Sequence, residues 1–147
     1  MIIEVNQKNI CYAAEINSES WKNSHKQYCS HEFVELHSIE YQEKYLRDQI
    51  RNGKNVYMLV EDRYIGIVSI KENLIENLYI LPNEQRKGYG TLLLKFAVGK
   101  CKGTPTLWIL ENNMKAYNLY SKYGFYKTGN RSQLSASIFE IEMKQGL

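Results

Sequence analysis

The chain has 147 residues, a formal net charge of +3, 44% hydrophobic residues and 24% charged residues. This length suits one domain with a hydrophobic core, and the composition excludes disordered and collagen-like chains. The small excess of positive charge gives no reason to expect a nucleic-acid partner. No apolar run approaches the ~20 residues of a membrane-spanning helix, and no secretion signal is recognisable at the start. We therefore expect one domain over residues 1–147 that is cytoplasmic and has neither membrane nor nucleic acid as a partner.

The first part of the chain is predicted to be mostly helical. A short strand over residues 2–5 precedes a helix over residues 10–21, where apolar residues recur at roughly helical spacing. Residues 22–37 show no clear period. A second helix begins after Ser38, whose side chain is a typical N-cap, and it ends at Gly53.

The remainder of the chain alternates between strands and helices. Its predicted elements are strands 56–60, 64–70 and 74–81, helix 88–102, strand 104–110, helix 113–123, and strands 125–128 and 137–143. The first three strands have short connections, which implies that they are antiparallel neighbours. The order of the elements indicates a mixed α/β sheet flanked by helices.

The most informative segment follows a strand and begins a helix. It reads Gln85-Arg86-Lys87-Gly88-Tyr89-Gly90-Thr91. A helix N-terminus offers free backbone N–H groups and the positive end of the helix dipole, and the two basic side chains add positive charge. The glycines allow a close approach of the backbone to an anion. The segment therefore predicts a phosphate site, with an ordinary tight turn as the alternative.

Two common nucleotide motifs do not fit this segment. A P-loop requires Gly-Lys-Ser/Thr, and the chain has Gly90-Thr91-Leu92 instead. The dinucleotide-binding fingerprint requires a third glycine where Leu93 stands. Both familiar nucleotide-binding motifs are therefore absent from this segment.

Two segments resemble motifs of the GCN5-related N-acetyltransferase (GNAT) superfamily. Gln85-x-x-Gly88-x-Gly90 is similar to its acetyl-CoA-binding motif, Gln/Arg-x-x-Gly-x-Gly/Ala. Residues 113–125 are similar to a later motif, an Asn-Ala-Leu-Tyr helix that ends in Gly-Phe. Both motifs occur in the expected order and on the expected elements. The resemblance covers about residues 74–128.

The resemblance implies a mostly antiparallel sheet that is splayed between its fourth and fifth strands, with acetyl-CoA as acyl donor in the gap. The residues that it implies for acetyl-CoA binding are Leu78, Ile80, Gln85, Arg86, Lys87, Gly88, Tyr89, Gly90, Thr91 and Asn113. Leu78 and Ile80 would offer main-chain hydrogen bonds to the pantetheine arm. An N–H near Ile80 or Leu81 would polarise the thioester carbonyl. The Asn113 side chain would hold the arm from the other side.

The implied reaction is direct attack of a primary amine on the thioester within a ternary complex. Tyr120 matches the superfamily's general acid, which protonates the departing thiolate. Because the chain has twelve tyrosines, packing in the core is the alternative role for Tyr120.

The general base is predicted to be Glu76. In a regular strand, positions 74, 76, 78 and 80 share one face, and Glu76 is the ionisable residue among them. Two alternatives stay open: the superfamily's glutamate can fall two residues earlier, where this chain has Leu74, or Glu76 is a solvated surface residue. Glu111, at the end of the next strand, is a second candidate.

The acceptor is predicted to be a small-molecule amine or a protein amino group. Members of the superfamily are often dimers, so a homodimer is one expected assembly. Trp21, Tyr28 and Phe33 stand where the superfamily's first helices border the acceptor site, but packing in the core is the default interpretation of all three. A non-catalytic CoA-binding module and a different nucleotide-binding fold are the competing hypotheses.

No metal is expected. His25, His31 and His37 are six residues apart, which is not a usual spacing for metal ligands. A zinc site with Cys29 is the alternative. One of these histidines lining the acceptor pocket is another.

Overall fold

A seven-stranded sheet organises the chain in the computed structural model, which describes residues 1–146. The strands are β1 (Ile2–Glu4), β2 (Asn55–Val60), β3 (Tyr64–Lys71), β4 (Leu74–Ile80), β5 (Thr106–Leu110), β6 (Phe125–Ser135) and β7 (Ile138–Gln145). Their order across the sheet is β1-β2-β3-β4-β5-β7-β6. The β4–β5 pair is parallel and the other pairs are antiparallel. The predicted α/β class and mostly antiparallel sheet are confirmed.

Helices cover both faces of this sheet. They are α1 (Ile10–His25), α2 (His31–Glu35), α3 (Ile39–Arg51), α4 (Tyr89–Lys100) and α5 (Met114–Lys122), and a short 3-10 turn spans Pro82–Glu84. Buried side chains of α4 and α5 pack on one face of the sheet, whereas those of α1 and α3 pack on the other. The predicted N-cap of α3 is present, because the Tyr41 N–H donates to Ser38 Oγ at 3.1 Å.

Two elements are longer than the sequence pattern predicts, and one further element, a short helix, was not predicted. The first helix continues to His25, and a short helix, α2, lies in the segment that shows no period. A five-residue helix is too short to display a hydrophobic period, although Ser30 caps it by accepting from the Phe33 N–H. Strand β6 extends well past residue 128, because Gly129 (φ +96°) and a shift of register interrupt its alternation without ending its pairing to β7.

The sheet separates between its fourth and fifth strands, as predicted. Strands β4 and β5 pair at only two positions, Leu74 with Thr106 and Ile75 with Leu107. Beyond Ile75 the two strands diverge, so the C-terminal half of β4 has β3 as its neighbour in the ladder.

A β-bulge in β4 accompanies the separation and changes which side chains share a face. Glu76 lies opposite Ser69 but Tyr79 lies opposite Ile67, so β4 has one extra residue, and Asn77 takes a φ of +52°. The prediction that positions 74, 76, 78 and 80 share a face is therefore wrong. Ile80 packs in the core under α4, whereas Glu76 and Tyr79 face the side of α1.

Gly66 of β3 allows this distorted segment to pack closely. A Cβ atom at Gly66 would lie 2.6 Å from Ile80 Cδ1 and 2.7 Å from the Tyr79 carbonyl oxygen. Because one of these atoms belongs to the backbone, a side chain at this position would push β4 away from β3.

We expect Gly66→Ala to lower the free energy of unfolding by about 1–3 kcal/mol, a typical cost of overpacking. Gly99→Ala is the matched control, because Gly99 lies in α4 and its Cβ would meet nothing within 4 Å. This control should raise stability by about 0.5–1 kcal/mol, since alanine favours the helix. Urea denaturation followed by circular dichroism measures both changes, and equal effects of the two variants would contradict the role of Gly66.

Candidate active site

The divergence of β4 from β5 leaves peptide groups without a ladder partner. The Leu81 N–H donates to the Ile65 carbonyl of β3 at 2.9 Å. Because successive peptide groups of a strand point to opposite sides, the N–H of Ile80, and of Leu78 before it, faces the gap toward β5. Ile80 is therefore suited to polarise a carbonyl in the gap, and the alternative donor, Leu81, is already engaged.

The segment after β4 presents free N–H groups at the start of α4. Arg86 (φ +65°) and Gly88 (φ +89°) adopt left-handed conformations, which an arginine rarely does outside functional or strained loops. The first intrahelical bond runs from the Leu92 N–H to the Gly88 carbonyl at 3.2 Å. The N–H groups of Tyr89, Gly90 and Thr91 precede that bond and have no acceptor within the helix. This arrangement has the free N–H groups that an anion site requires.

Charged side chains fasten this segment to the β2–β3 turn. Both oxygens of Glu84 accept from the Arg63 guanidinium, at 2.5 and 2.8 Å. Lys87 Nζ also donates to Glu84 Oε1, at 3.0 Å, and the Tyr89 hydroxyl donates to Glu61 at 3.2 Å. Hydrogen bonds from Arg63 and then from Lys87 lower the pKa of Glu84 to about 2. The predicted phosphate ligand Lys87 therefore has a carboxylate partner within the loop, whereas Arg86 lies beside it as a second cation.

The side chain of Gln85 connects three elements. Its Nε2 donates to the Ile80 carbonyl at 3.1 Å, and its Oε1 accepts from Lys115 Nζ of α5 at 3.1 Å. Gln85 thus ties the end of β4 to α5, and its side-chain amide holds the loop in place.

Helix α5 packs against the first turn of α4. The Tyr123 hydroxyl, next to the end of α5, donates to Thr91 Oγ1 at 3.1 Å, and a Cβ at Gly90 would lie 4.0 Å from Leu119. Asn113 caps α5, because its Oδ1 accepts from the Ala116 N–H at 3.0 Å. The oxygen of Asn113 is therefore occupied, and its Nδ2 is the atom suited to hold a ligand.

Tyr120 lies in the core near the gap. Its side chain is 8% exposed, and its ring meets that of Phe125 edge-on with centroids 5.8 Å apart. Burial raises the pKa of Tyr120 to about 12, so the phenol is protonated at neutral pH. Burial also raises the pKa of Tyr79, with smaller contributions from Tyr45 and Tyr120.

The two carboxylates considered as bases have different environments. Glu76 Oε1 accepts from Lys54 Nζ at 2.8 Å, and the Lys54 side chain is only 5% exposed. Glu111 forms a bidentate ion pair with Arg131 at 2.6 and 3.0 Å. Hydrogen bonds from Arg131 lower the pKa of Glu111, which makes it a poor base.

A cavity of about 520 Å³ opens on the α1 face where β4 and β5 diverge. Its aromatic and ionisable wall residues include Trp21, His25, Glu76, Tyr79, Trp108 and Glu140. The Trp21 indole is stacked between the imidazoles of His25 and His37, with centroids 3.9 and 3.4 Å away. Burial lowers the pKa of His25 to about 4, so the part of the wall formed by Trp21 and His25 is uncharged at neutral pH. The cavity therefore combines flat aromatic surfaces with carboxylates.

Several cavity residues agree with the expectations from sequence, and others were missed. Trp21 and Phe33 line the cavity instead of packing in the core, whereas Tyr28 lines a smaller cavity beside it. Trp108 and Glu140 were not singled out. The alternation of apolar and acidic residues from Glu140 to Met143 carries the signal, because it points the acidic residues away from the core.

Residues 1–146 lack two further kinds of feature. No group of three or more His, Cys, Asp or Glu side chains among them is placed to hold a metal ion. None of the helices in this range is both long and apolar enough to span a bilayer.

A family model described as an acetyltransferase (GNAT) domain matches residues 23–147. The chain therefore belongs to the GNAT acetyltransferase family. The match includes the predicted phosphate loop, α5 and all of the sheet except β1.

Solved structures share the fold over nearly the whole chain. The PaiA N-acetyltransferase from Thermoplasma acidophilum, crystallised with coenzyme A, is 23% identical with a TM-score of 0.71, and the match covers 98% of both chains. A spermidine N-acetyltransferase from Vibrio cholerae is 18% identical (TM-score 0.69; 99% of this chain and 94% of that one). A ribosomal-protein-alanine N-acetyltransferase from Brucella melitensis is 15% identical (TM-score 0.69; 100% and 99%).

The Glu84–Arg63 pair predicts a particular dependence of stability on pH. The folded-state pKa of Glu84 is lowered to about 2 from an ordinary value of 4.5, so its stabilising contribution is complete above pH 4.5 and disappears as the pH falls toward 2. We expect Glu84→Gln to be less stable than the parent protein at pH 7, with a difference that shrinks steadily below pH 4.5. Urea denaturation at a series of pH values measures this difference.

Asp62→Asn is the control for this series. Asp62 contacts the same guanidinium, but its side chain is 81% exposed, so its loss should change stability little. A difference between the parent and Glu84→Gln that stayed constant from pH 7 to pH 2 would show that the ion pair does not fasten the loop.

Proposed function

We propose that this protein is an acetyl-CoA-dependent N-acetyltransferase whose acceptor is a primary amine. The observation that carries the proposal is the cavity on the α1 face, which opens at the gap between β4 and β5 and is lined by Tyr79, the residue before Ile80. The gap passes through the sheet from one face to the other, so a thioester in the gap would meet an amine that arrives from the cavity. The proposed acceptor is a small-molecule amine or a protein amino group.

Acetyl-CoA fits the residues around the gap. The N–H groups of Tyr89, Gly90 and Thr91 at the start of α4 would bind its pyrophosphate, with Arg86 and Lys87 as nearby cations. The left-handed Gly88 has open space where a side chain would begin, so an anion can approach its backbone.

The extended arm of acetyl-CoA would lie along β4. Leu78 and Ile80 would provide its main-chain hydrogen bonds, and Asn113 Nδ2 would hold the arm from the α5 side. Gln85 acts through its contacts with Ile80 and Lys115, which hold the loop against β4.

The chemistry requires one bond to form and one to break. Acetyl-CoA supplies the acetyl group as a thioester, so the amine nitrogen bonds to the acetyl carbon while the carbon–sulfur bond breaks and coenzyme A leaves as a thiol. The Ile80 N–H points into the gap and would stabilise the negative charge that develops on the carbonyl oxygen.

The ammonium nitrogen loses two protons and the leaving sulfur gains one: Glu76 would take the first proton, and the second would restore the Tyr120 phenol after it has protonated the sulfur. An alkylammonium has a pKa near ~10.4 and must lose a proton before it can attack. Glu76 lines the cavity, and Lys54 occupies its Oε1, which leaves Oε2 as the proposed acceptor of that proton. Tyr120 is the proposed donor to the leaving sulfur, because burial keeps its phenol protonated.

Acetyl-CoA binding is the first prediction of this proposal. We expect calorimetric titration of the protein to detect acetyl-CoA and not ATP or NAD. Gly88→Asp should abolish the binding, because it places a negative charge where the pyrophosphate is bound.

Gly129→Asp is the matched control for Gly88→Asp. Gly129 also has a positive φ (+96°) and open space around its Cβ position, but it lies on the edge strand β6. The control introduces the same charge and a similar backbone strain, so it should bind acetyl-CoA normally. ATP or NAD binding in place of acetyl-CoA would favour a different nucleotide-binding function.

Catalysis by Tyr120 is tested separately from binding. We expect Tyr120→Phe to lower kcat by about 10²-fold or more, the usual contribution of a general acid, with the dissociation constant of acetyl-CoA unchanged. Tyr117→Phe removes a hydroxyl from the same helix and should retain normal kcat. Acetyl-CoA binding without transfer to any amine by the parent protein would indicate a non-catalytic CoA-binding module.

A further inference from the structure

Glu140 is a carboxylate of the cavity that the proposed reaction does not use. It lies on β7 between Phe139 and Ile141, and Ile141 is buried in the core on the opposite face of the strand. Glu140 therefore faces the cavity, where it is partly buried. Burial and the charge of Glu76 raise the pKa of Glu140, and no cation in the described part of the chain offsets this effect.

The neighbouring carboxylates differ from Glu140 because each has a partner. Glu76 pairs with Lys54. Glu142, two residues along the same face of β7, accepts from Thr128 Oγ1 at 2.8 Å and from Asn130 Nδ2 at 2.9 Å. A partly desolvated carboxylate with no cation beside it is unfavourable in the free protein, and a cationic ligand would relieve that cost.

The other walls of the cavity also suit a cation. Trp108 contributes an indole ring, whose faces attract ammonium groups more strongly than those of other aromatic side chains. Both faces of the Trp21 ring are covered by His25 and His37, so Trp21 forms a fixed apolar part of the wall instead.

The position of Glu140 in the sheet separates it from the reacting nitrogen. β5 lies between β4 and β7, and β4 and β5 have diverged before Leu110, the residue opposite Glu140. With paired strands ~4.8 Å apart, the backbone of Glu140 therefore lies more than about 10 Å from that of β4. The nitrogen that attacks must be neutral and close to Ile80 on β4. Glu76, on β4 itself, is the carboxylate proposed to take the proton from that nitrogen. Glu140 is therefore better placed to bind a different nitrogen of the same acceptor.

We infer that the acceptor is an alkyl diamine or polyamine, and that Glu140 is the specificity-determining residue that binds its second, cationic nitrogen. This inference rests on the proposed acetyltransferase function. The first nitrogen of such an acceptor reaches the gap and is acetylated. The second remains protonated beside Glu140, with the Trp108 indole as the neighbouring aromatic wall.

Three acceptors with the same carbon chain test the inference: diaminobutane, butylamine and aminobutanoate. We expect kcat/KM for diaminobutane to exceed that for butylamine about 10-fold, which corresponds to ~1.4 kcal/mol. Aminobutanoate should be the poorest acceptor, because its carboxylate would lie beside Glu140. In Glu140→Gln the advantage of diaminobutane over butylamine should disappear, mainly through a higher KM.

Two further variants separate a role in specificity from a structural one. Glu140→Asp keeps the charge and should keep part of the preference for diaminobutane. Glu142→Gln removes a carboxylate from the same strand and face and should keep the full preference. An unchanged preference in Glu140→Gln, or equal use of aminobutanoate and diaminobutane by the parent protein, would overturn the inference.

Calorimetric binding of diaminobutane to the protein saturated with coenzyme A provides a second readout. Binding that Glu140→Gln weakens about 10-fold would support the cation site even if no acetylation occurs, and only the proposed catalysis would then fail. Active acetylation of butylamine with no dependence on Glu140 would retain the proposed function and reject the diamine site.

Discussion

The separation of β4 from β5 is the constraint on which the rest of the site depends. Pairing ends at Ile75, so the Leu78 and Ile80 peptide groups face a gap instead of a neighbouring strand. Such groups are costly when buried without partners, and an extended ligand that supplies hydrogen bonds along β4 removes that cost. The bulge at Asn77 turns Glu76 and Tyr79 toward the cavity while Ile80 stays in the core under α4. The bulge in β4 therefore determines which of its side chains face the cavity and which face the core under α4.

The anion site is held by contacts with parts of the chain that are distant in sequence. Arg63 in the β2–β3 turn donates to Glu84 from two of its nitrogens, Nε and Nη2, and Gln85 joins β4 to α5. These contacts orient the N–H groups at the start of α4 before any ligand arrives, so binding requires little reorganisation. Gly66 of β3 helps to position the end of β4 that precedes this segment, because the absence of a side chain lets β4 lie close against β3.

The cavity is formed by parts of the chain that do not contribute to the anion site. Trp21 and His25 come from α1, whereas Glu140 comes from the closing hairpin of β6 and β7. The predicted phosphate loop contributes nothing to its walls. Under the proposed function, the phosphate loop and the α1 and β7 walls of the cavity could therefore vary separately, although β4 borders both.

Local features of the sequence predicted the Ser38 cap of α3 and the unusual backbone conformation at Gly88, and they led to the proposal of a phosphate site. Each depends on backbone chemistry within a few residues, so a single segment is enough to predict it. The motifs also predicted the splayed sheet. The bulge at Asn77 was not predictable, because it appears only when β4 pairs with β3. The uncompensated charge of Glu140 and the pairing of Glu111 with Arg131 were decided by tertiary structure, because the charge on a side chain is offset or left exposed by neighbours that folding brings from distant parts of the chain.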